Sequence, residues 1–265
     1  MKVSVIVPTR NSGRTLEACL QSVRAQTYTP IELVVCDNSS TDGTSAIAER
    51  LADRTVVCGP ERSAQRNYAA SIATAAAFLF VDSDMTLTPR VVAECVGAAT
   101  EGADAVVIPE ASFGDGFWAR CKALERSCYV GDASIEAARF FTRRTFERAG
   151  RYDETLVAGE DWDLHRRVVA RGAVVARTSA HIWHDEGRLR LSQLAAKKYR
   201  YGQTLGAYIG KHPAVARTQL RLIRPAFVRH RHRLAAHPLT TVGMIVMKTS
   251  EAAAGAAGLL ATKLR

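Results

Sequence analysis

Short apolar runs alternate with stretches of helical periodicity along the first hundred residues. The runs are rich in valine, isoleucine and phenylalanine, which favour strands. They lie at residues 3–7, 31–37, 55–58 and 78–81. Helical spacing follows each run, as in Leu16, Leu20 and Val23 after the first. This alternation predicts an α/β fold with a Rossmann-like, right-handed and mostly parallel central sheet covered by helices on both faces.

The pattern continues less regularly beyond residue 100. Further strands are predicted at residues 105–109, 139–142 and 173–176, and helices at 113–128, 143–149 and 191–209. A last apolar segment, residues 239–264, contains Lys248, Ser250 and Glu251, so it lacks the uninterrupted run of about eighteen apolar residues that a membrane-spanning helix needs. An amphipathic helix lying in a membrane interface fits this segment better.

Charge separates the chain into two regions. Residues 1–187 carry 21 Lys and Arg against 25 Asp and Glu, a net charge of −4, whereas residues 188–265 carry 15 against one, a net charge of +14. The formal net charge of +10 is therefore a property of the C-terminal region. A basic helical extension predicts an anionic partner, either membrane headgroups or nucleic acid, with a generic solvated basic face as the alternative.

Several classes of protein are disfavoured by what the sequence lacks. The six cysteines form no Cys-x-x-Cys pair, which indicates core residues in a reducing compartment. No Gly-x-Gly-x-x-Gly and no Gly-Lys-Ser/Thr sequence is present, which argues against an NAD site and a P-loop. Because residues 3–7 already form a predicted strand, too short for the apolar part of a signal peptide, a cytoplasmic location is expected.

The most informative stretch is residues 78–87, where a buried strand ends at two carboxylates, Asp82 and Asp84. In an open α/β sheet, ligands bind at the carboxyl ends of the strands. Two carboxylates one residue apart can share a hard cation with a diphosphate. An acidic turn that caps the following helix is the alternative for this motif alone.

Four further polar motifs accompany this one. Three follow predicted strands of the same sheet, at residues 8–11, 37–43 and 66–67, and the fourth is Glu160-Asp161. Acidic residues in a first helical turn are also stabilised by the helix dipole, which is the structural alternative for the last motif. Taken together, the order and spacing resemble those of the GT-A glycosyltransferases, in particular the inverting enzymes of family 2, over roughly residues 1–187.

This resemblance implies a role for each motif. Pro8, Thr9 and Asn11 would line the nucleobase pocket, and Asp37 would accept a hydrogen bond from the base, most often uracil. Arg66 would lie near the donor diphosphate or sugar, with Asp82 and Ser83. Asp84 would hold Mg²⁺ or Mn²⁺, with His184 as a further metal ligand. Asp161 would be the catalytic base, with Glu160 and Trp162 on the acceptor side.

The chemistry of glycosyl transfer requires such a set. Negative charge builds on the leaving diphosphate, where a cation neutralises it, while a carboxylate on the opposite face takes the proton of the acceptor hydroxyl. One base and in-line attack invert the configuration at the sugar. The Gln-x-x-Arg-Trp segment of processive synthases is absent, since Gln193 is followed by Leu-Ala-Ala, and this favours a single-addition enzyme.

These observations predict two domains. Residues 1–187 would form the GT-A domain, with a nucleotide-binding half at 1–100 and an acceptor half at 101–187, and residues 188–265 the basic extension. The extension favours a lipid-linked or cell-envelope glycan acceptor and a peripheral position at the inner face of the membrane. A nucleic-acid or small-molecule acceptor, a nucleotidyltransferase and a catalytically silent adaptor remain alternatives.

Overall fold

The computed structural model describes residues 1–213, 216 and 219–263. Its contacts divide the chain into two compact units. Unit 1 contains Met1–Glu110, Ala137–Glu154 and Glu160–His184, and unit 2 contains Ala111–Glu136, Thr155–Gly159 and the described residues from Asp185 onward. Two segments that the sequence-based division assigns to the acceptor half, 111–136 and 155–159, thus group with the C-terminal helices. The domain boundary at residue 187 stays a prediction.

Unit 1 is built on a seven-stranded sheet. Its strands are β1 (Val3–Thr9), β2 (Ile31–Asp37), β3 (Arg54–Val57), β4 (Ala77–Phe80), β6 (Ala105–Val107), β8 (Ala138–Thr142) and β9 (Val175–Arg177). They lie in the order β3-β2-β1-β4-β8-β6-β9. Strand β8 runs antiparallel to β4 and β6, and the other neighbouring pairs are parallel. The predicted mostly parallel sheet is therefore confirmed.

Helices cover both faces of this sheet, as predicted. They are α1 (Leu16–Arg24), α2 (Thr44–Leu51), α3 (Arg62–Ile72), α4 (Val91–Thr100), α6 (Arg143–Arg148) and α7 (Glu160–Ala170). Successive residues of β1 point to opposite faces, so Val5 joins one core with Leu20 of α1, and Ile6 joins the other with Ala70 of α3. Each face of the sheet thus has its own buried apolar layer.

A second, three-stranded sheet was missed in the sequence. Its strands are β5 (Met85–Leu87), β7 (Glu110–Asp115) and β10 (Ile182–Arg188), in the order β5-β10-β7. The helix predicted from Phe113 begins at Gly116, because residues 113–115 belong to β7. Strand β5 has only three residues, and β7 and β10 contain several charged residues, so pairing with distant partners stabilises these strands more than local propensity does.

Unit 2 is mainly helical in the residues described. It contains α5 (Gly116–Ser127), α8 (Leu191–Lys211), α9 (Pro225–Arg229), α10 (Arg231–Ala236) and α11 (Pro238–Lys263). This confirms the predicted C-terminal helical region, although Leu264, at the end of the predicted segment, lies outside the described residues. Helices α8 and α11 pack closely, because a Cβ on Gly202 would lie 2.1 Å from the carbonyl oxygen of Gly255. Within the described chain, no helix is both long and apolar enough to cross a membrane.

Candidate active site

Three strand ends bring the predicted polar loops to one edge of the central sheet. Strands β1 and β2 pair in parallel so that Thr9 lies opposite Asp37, and β4 pairs with β1 in the same direction. The turn after β4 contains Asp82, Ser83 and Asp84. Because the carboxyl ends of parallel strands face the same way, the loops after β1, β2 and β4 all emerge at this edge.

The predicted nucleobase residues hold these loops in place. Both oxygens of the buried Asp37 accept hydrogen bonds from the β2–α2 loop, including one of 2.5 Å from the hydroxyl of Ser40. Asn11, with a positive φ of 50°, donates its backbone N–H to the Ser40 hydroxyl and accepts the N–H of Thr41. The hydroxyl of Thr9 is buried and has no hydrogen-bond partner among the described residues. Thr9 therefore retains a hydrogen-bonding capacity that the described residues do not use.

Asp82 is neutralised by two arginines. Its Oδ1 lies 2.7 Å from Nη2 of Arg66, and its Oδ2 lies 3.4 Å from Nη1 of Arg139. Burial by itself raises the pKa of a carboxyl group, but here Arg66 and Arg139 outweigh it and hold the pKa of Asp82 well below its ordinary value. Arg139 is in turn paired with Glu110 at 2.6 Å. Asp82 is therefore a charged anchor for both guanidinium groups at neutral pH.

Arg66 connects this anchor to the predicted catalytic base. Its fully buried guanidinium group donates a hydrogen bond of 2.9 Å to Asp161 and lies 3.4 Å from the Oε1 of Glu160 and 4.9 Å from the centre of the Tyr152 ring. Burial lowers an arginine pKa, but Asp161 and the other carboxylates raise that of Arg66 well above its usual value. One fixed cation thus joins the turn after β4 to the start of α7.

The two acidic residues at the start of α7 differ in their access to solvent. The side chain of Asp161 is 30% exposed, whereas that of Glu160 is 5% exposed. Burial and the neighbouring Asp161 raise the pKa of Glu160, although Arg62 lies 3.1 Å away and opposes the shift. Asp161 is consequently the more accessible of the two carboxylates, and Glu160 is its buried neighbour.

Asp84 and His184 meet through the second sheet. Because β5 and β10 are antiparallel with Met85 opposite His184, the imidazole Nε2 lies 3.3 Å from Oδ2 of Asp84. The other oxygen of Asp84, Oδ1, is buried and has no hydrogen-bond partner in the described part of the chain. An unsatisfied carboxylate oxygen beside an imidazole suits a divalent cation. Among the described residues, no group of three or more His, Cys, Asp or Glu side chains has metal-binding geometry.

The remaining predicted residues are less closely connected. The hydroxyl of Ser83 lies 2.8 Å from that of Ser12, which ties the turn after β4 to the loop after β1. Pro8 is buried within β1, and Trp162 is half-buried in α7. The structure therefore groups Arg66 with Asp82 and Asp161, and Asp84 with His184.

Two residues of this network were missed in the sequence. Arg139 begins a predicted strand whose next two residues are phenylalanines, and Glu110 directly follows the proline that ends another predicted strand. A charged side chain in an apolar run needs a partner, which was the available signal for Arg139. Glu110 also lies 3.8 Å from Nδ1 of His184 through its other oxygen. It thus stands between Arg139 and His184.

Comparison with known proteins extends these observations. The family model for glycosyl transferase family 2 matches residues 4–155. A PGL/p-HBAD biosynthesis glycosyltransferase from Mycobacterium bovis is 30% identical over 189 residues, which cover 66% of this chain and 72% of the relative. An Escherichia coli enzyme named UDP-Glc:alpha-D-GlcNAc-diphosphoundecaprenol beta-1,3-glucosyltransferase is 36% identical over 87 residues, 31% of this chain, and the match spans only about a third, 35%, of that relative.

Among solved structures, a mannosyltransferase from Pyrobaculum calidifontis in complex with GDP-Man and Mn²⁺ is similar in fold. The TM-score is 0.60 at 22% sequence identity, covering 99% of this chain and 79% of the other. The sheet order, the family match over more than half of the chain and this structural similarity agree with one another. The chain belongs to glycosyl transferase family 2 and has the GT-A fold.

Proposed function

We propose that this protein is a metal-dependent, inverting glycosyltransferase that moves a sugar from a nucleotide-diphosphate donor to a hydroxyl group. One observation carries the proposal. Arg66 joins the turn that contains Asp84 to the partly exposed carboxylate of Asp161, so one cation holds together the turn with a candidate metal ligand and the candidate base. Family membership favours glycosyl transfer over a nucleotidyltransferase and over a catalytically silent adaptor.

Asp84 and His184 would hold a Mg²⁺ or Mn²⁺ ion, with the donor diphosphate completing its ligands. The bound ion would neutralise charge on the leaving diphosphate. The unsatisfied Oδ1 of Asp84 supports this role, as does the presence of Mn²⁺ in the similar Pyrobaculum calidifontis structure. Arg66 and Arg139 hold Asp82 as an anion beside this site, which fixes the turn that presents Asp84.

Asp161 would act as the base. One oxygen is held by Arg66, and the partly exposed side chain leaves the carboxylate able to accept the proton of an acceptor hydroxyl. Arg66 fixes the orientation of the carboxylate, as an orienting partner does for a general base. A single base without a covalent intermediate gives inversion at the anomeric carbon.

The donor is proposed to be a UDP-sugar. The name of the Escherichia coli relative specifies UDP-Glc, whereas the Pyrobaculum calidifontis structure holds GDP-Man. Thr9 supports a nucleobase role, because its buried hydroxyl has no partner in the described chain. Asp37 and Asn11 order the loops around that position, and Pro8 completes the strand end.

The acceptor is proposed to be a lipid-linked or cell-envelope glycan. The Escherichia coli relative is named for a diphosphoundecaprenol-linked sugar. The net charge of +14 in residues 188–265 suits the diphosphate of such an acceptor and an anionic membrane surface. A nucleic-acid acceptor is the alternative that the same charge supports.

The first test measures donor and metal binding. Thermal unfolding is followed with UDP, GDP, dTDP or CMP, each with and without Mn²⁺. UDP is expected to raise the melting temperature more with Mn²⁺ than without, because a ligand that binds only the native state stabilises it. The Mn²⁺-dependent part of this rise in melting temperature should be lost in Asp84→Ala and retained in Asp161→Asn. Stabilisation by GDP alone would reject the donor assignment, and equal effects in Asp84→Ala and wild type would reject the metal site.

The second test measures transfer from the donor that binds. Asp161→Asn is expected to lower the rate of transfer by at least about a thousandfold, because an amide cannot accept the proton. Asp163→Asn is the matched control, since Asp163 is buried in the same helix and pairs with Arg167. Retained transfer in Asp161→Asn would rule out this residue as the base.

A further inference from the structure

Helix α11 turns two charged residues, Lys248 and Glu251, inward. Lys248 and Glu251 are the only charged residues between Pro238 and Thr262. Nζ of Lys248 lies 2.8 Å from Oε1 of Glu125 in α5, and Oε1 of Glu251 lies 3.3 Å from Nζ of Lys122 in the same helix. The side chains of Lys248 and Glu251 are only 13% and 5% exposed. Both charges between Pro238 and Thr262 are therefore used inside unit 2.

The opposite face of α11 is exposed and uncharged. Its exposed residues recur at helical spacing from one end of the helix to the other. They are Leu239, Val242, Ile245, Val246, Thr249, Ala252, Ala253, Ala256, Ala257 and Leu260, which we call the α11 face. Leu239, Val242 and Leu260 are 80%, 61% and 59% exposed. At 1.5 Å per residue, the face extends for about 30 Å.

The one hydroxyl within the α11 face does not make it polar. Thr249 donates to the backbone carbonyl groups of Ile245 and Val246 in the preceding turn. Its hydrogen-bonding demand is therefore met within the helix. A continuous exposed apolar face of this kind is unusual on a protein surface and marks a contact site.

Exposed basic residues precede this helix in the chain. Arg229, Arg231 and Arg233 are exposed in the two short helices before α11. Val228 in the first of these helices and Ile223 just before it are exposed apolar residues, at 59% and 75%. The only acidic residue in 188–265 is Glu251, which is buried. The described surface of this region thus combines apolar and basic side chains without a single acidic one.

We infer that the α11 face lies in the interfacial region of an anionic lipid bilayer, with the arginines of α9 and α10 against the headgroups. An amphipathic helix at such an interface needs an apolar face and nearby basic residues, and both are present here. A second copy of the chain fits less well, because it would bring two regions of net charge +14 together. The inference rests on unit 2 alone and does not depend on the proposed donor, metal or base.

The inference is tested with the full chain and vesicles of phosphatidylglycerol and phosphatidylcholine. The protein is expected to co-sediment with these vesicles, more weakly as salt is raised, and to bind poorly to pure phosphatidylcholine. The double variant Val242→Glu/Ile245→Glu should lower the partition coefficient at least about tenfold, because two apolar side chains no longer enter the interface and two charges oppose it. Val174→Glu is the control, since Val174 is 58% exposed in unit 1, and it should bind like wild type.

Circular dichroism and a cooperative thermal unfolding transition establish that each variant is folded. If the double variant does not fold, Leu239→Gln replaces it, because Leu239 is the most exposed residue of the face. Vesicle binding equal to that of wild type in the folded variant would overturn the inference. Two other results would also overturn it. One is that the protein forms a dimer that the substitutions dissociate. The other is that DNA retains the protein more strongly than the vesicles do at equal ionic strength. If the protein binds vesicles but no nucleotide raises its melting temperature, the result counts against the proposed function and leaves the membrane inference unaffected.

Discussion

Two buried ionic clusters, one in each unit, use similar groups in different ways. In unit 1, Arg66 pairs with Asp82 and Asp161, and Asp161 remains 30% exposed. In unit 2, Glu125 pairs with Lys122 and Lys248, and all three side chains are at most 13% exposed. The first cluster therefore includes a carboxylate that is accessible to a ligand, whereas the second is closed.

The choice of cation accounts for part of this difference. The planar guanidinium group of Arg66 donates in two directions at once, so it can hold Asp82 and Asp161 on different elements. The ammonium groups of Lys122 and Lys248 are point charges that approach Glu125 from two helices. Buried charge alone does not identify a functional site, and the exposure of one partner is the more useful criterion.

Removal of Arg66 should have the largest effect. Arg66→Met would leave Asp161 and Glu160 without their buried cation and Asp82 with Arg139 alone, so we expect the free energy of unfolding to fall by about 3–5 kcal/mol. Transfer should fall as well, because Asp161 loses its orientation. Urea denaturation and a transfer assay measure the two effects. Arg66→Lys keeps the positive charge but not the planar guanidinium group that donates in two directions. Its free energy of unfolding and its rate of transfer should lie between those of wild type and Arg66→Met.

The effect of Arg66→Met should depend on pH. The folded-state pKa of Asp82 is lowered, so its contribution to stability is complete above the unfolded pKa, near pH 4, and declines as pH falls toward the folded pKa. The stability difference between wild type and Arg66→Met should therefore narrow below about pH 4. A difference that is constant from pH 3 to pH 8 would contradict the ionic pairing of Asp82.

Substitution in the closed cluster should affect stability without affecting transfer. Glu125→Gln removes the negative charge between Lys122 and Lys248, and we expect the free energy of unfolding to fall by about 2–4 kcal/mol. Transfer per folded molecule should equal that of wild type. Glu101→Gln is the control, because Glu101 is exposed, and it should change neither quantity. A selective loss of transfer in Glu125→Gln would show that the closed cluster also serves the reaction, and would contradict the distinction between the two clusters.

The smallest expected effect is a gain in stability from Lys198→Met. Burial lowers the pKa of Lys198 to about 8, so the folded state holds this proton less tightly than the unfolded state does. At pH 7 the variant should be more stable than wild type by about 1–3 kcal/mol. This advantage should shrink between pH 8 and pH 10 and disappear above the unfolded pKa, because Lys198 is then neutral in both states.

Urea denaturation across this pH range measures the effect of Lys198→Met. The matched control is Lys197→Met, since Lys197 is the exposed neighbour in the same helix. If Lys198→Met is less stable than wild type at pH 7, the charged side chain of Lys198 stabilises the folded protein, and the prediction is wrong.

The sequence was sufficient to predict the parallel strands β1, β2 and β4 of unit 1. Strands β1, β2 and β4 are dense β-branched or aromatic runs that end in polar turns, so local pattern alone located them and their loops. By resemblance, Asp84 was named from the loop after β4 and Asp161 from the start of a later helix. Their roles stay predictions, although the structure brings Asp84 to His184 and places Asp161 in contact with Arg66.

The missed features all depend on pairing between distant residues. Strand β10 contains His184, Asp185, Glu186 and Gly187, a composition that gives no strand signal until β5 lies beside it. Arg139 meets Asp82 across 57 residues. The inward direction of Lys248 and Glu251 could not be predicted either, because their partners in α5 lie more than a hundred residues earlier in the chain.

The inward charges of α11 have a consequence for how this helix meets a surface. Peptides that become helical only on reaching a bilayer must lose conformational entropy there, which weakens their binding. Here the helix is already formed, held by ion pairs to α5 and by the close contact of Gly202 with Gly255. No ordering cost remains at the moment of contact. Attachment and release can then be rapid and reversible, governed by lipid charge and ionic strength rather than by folding.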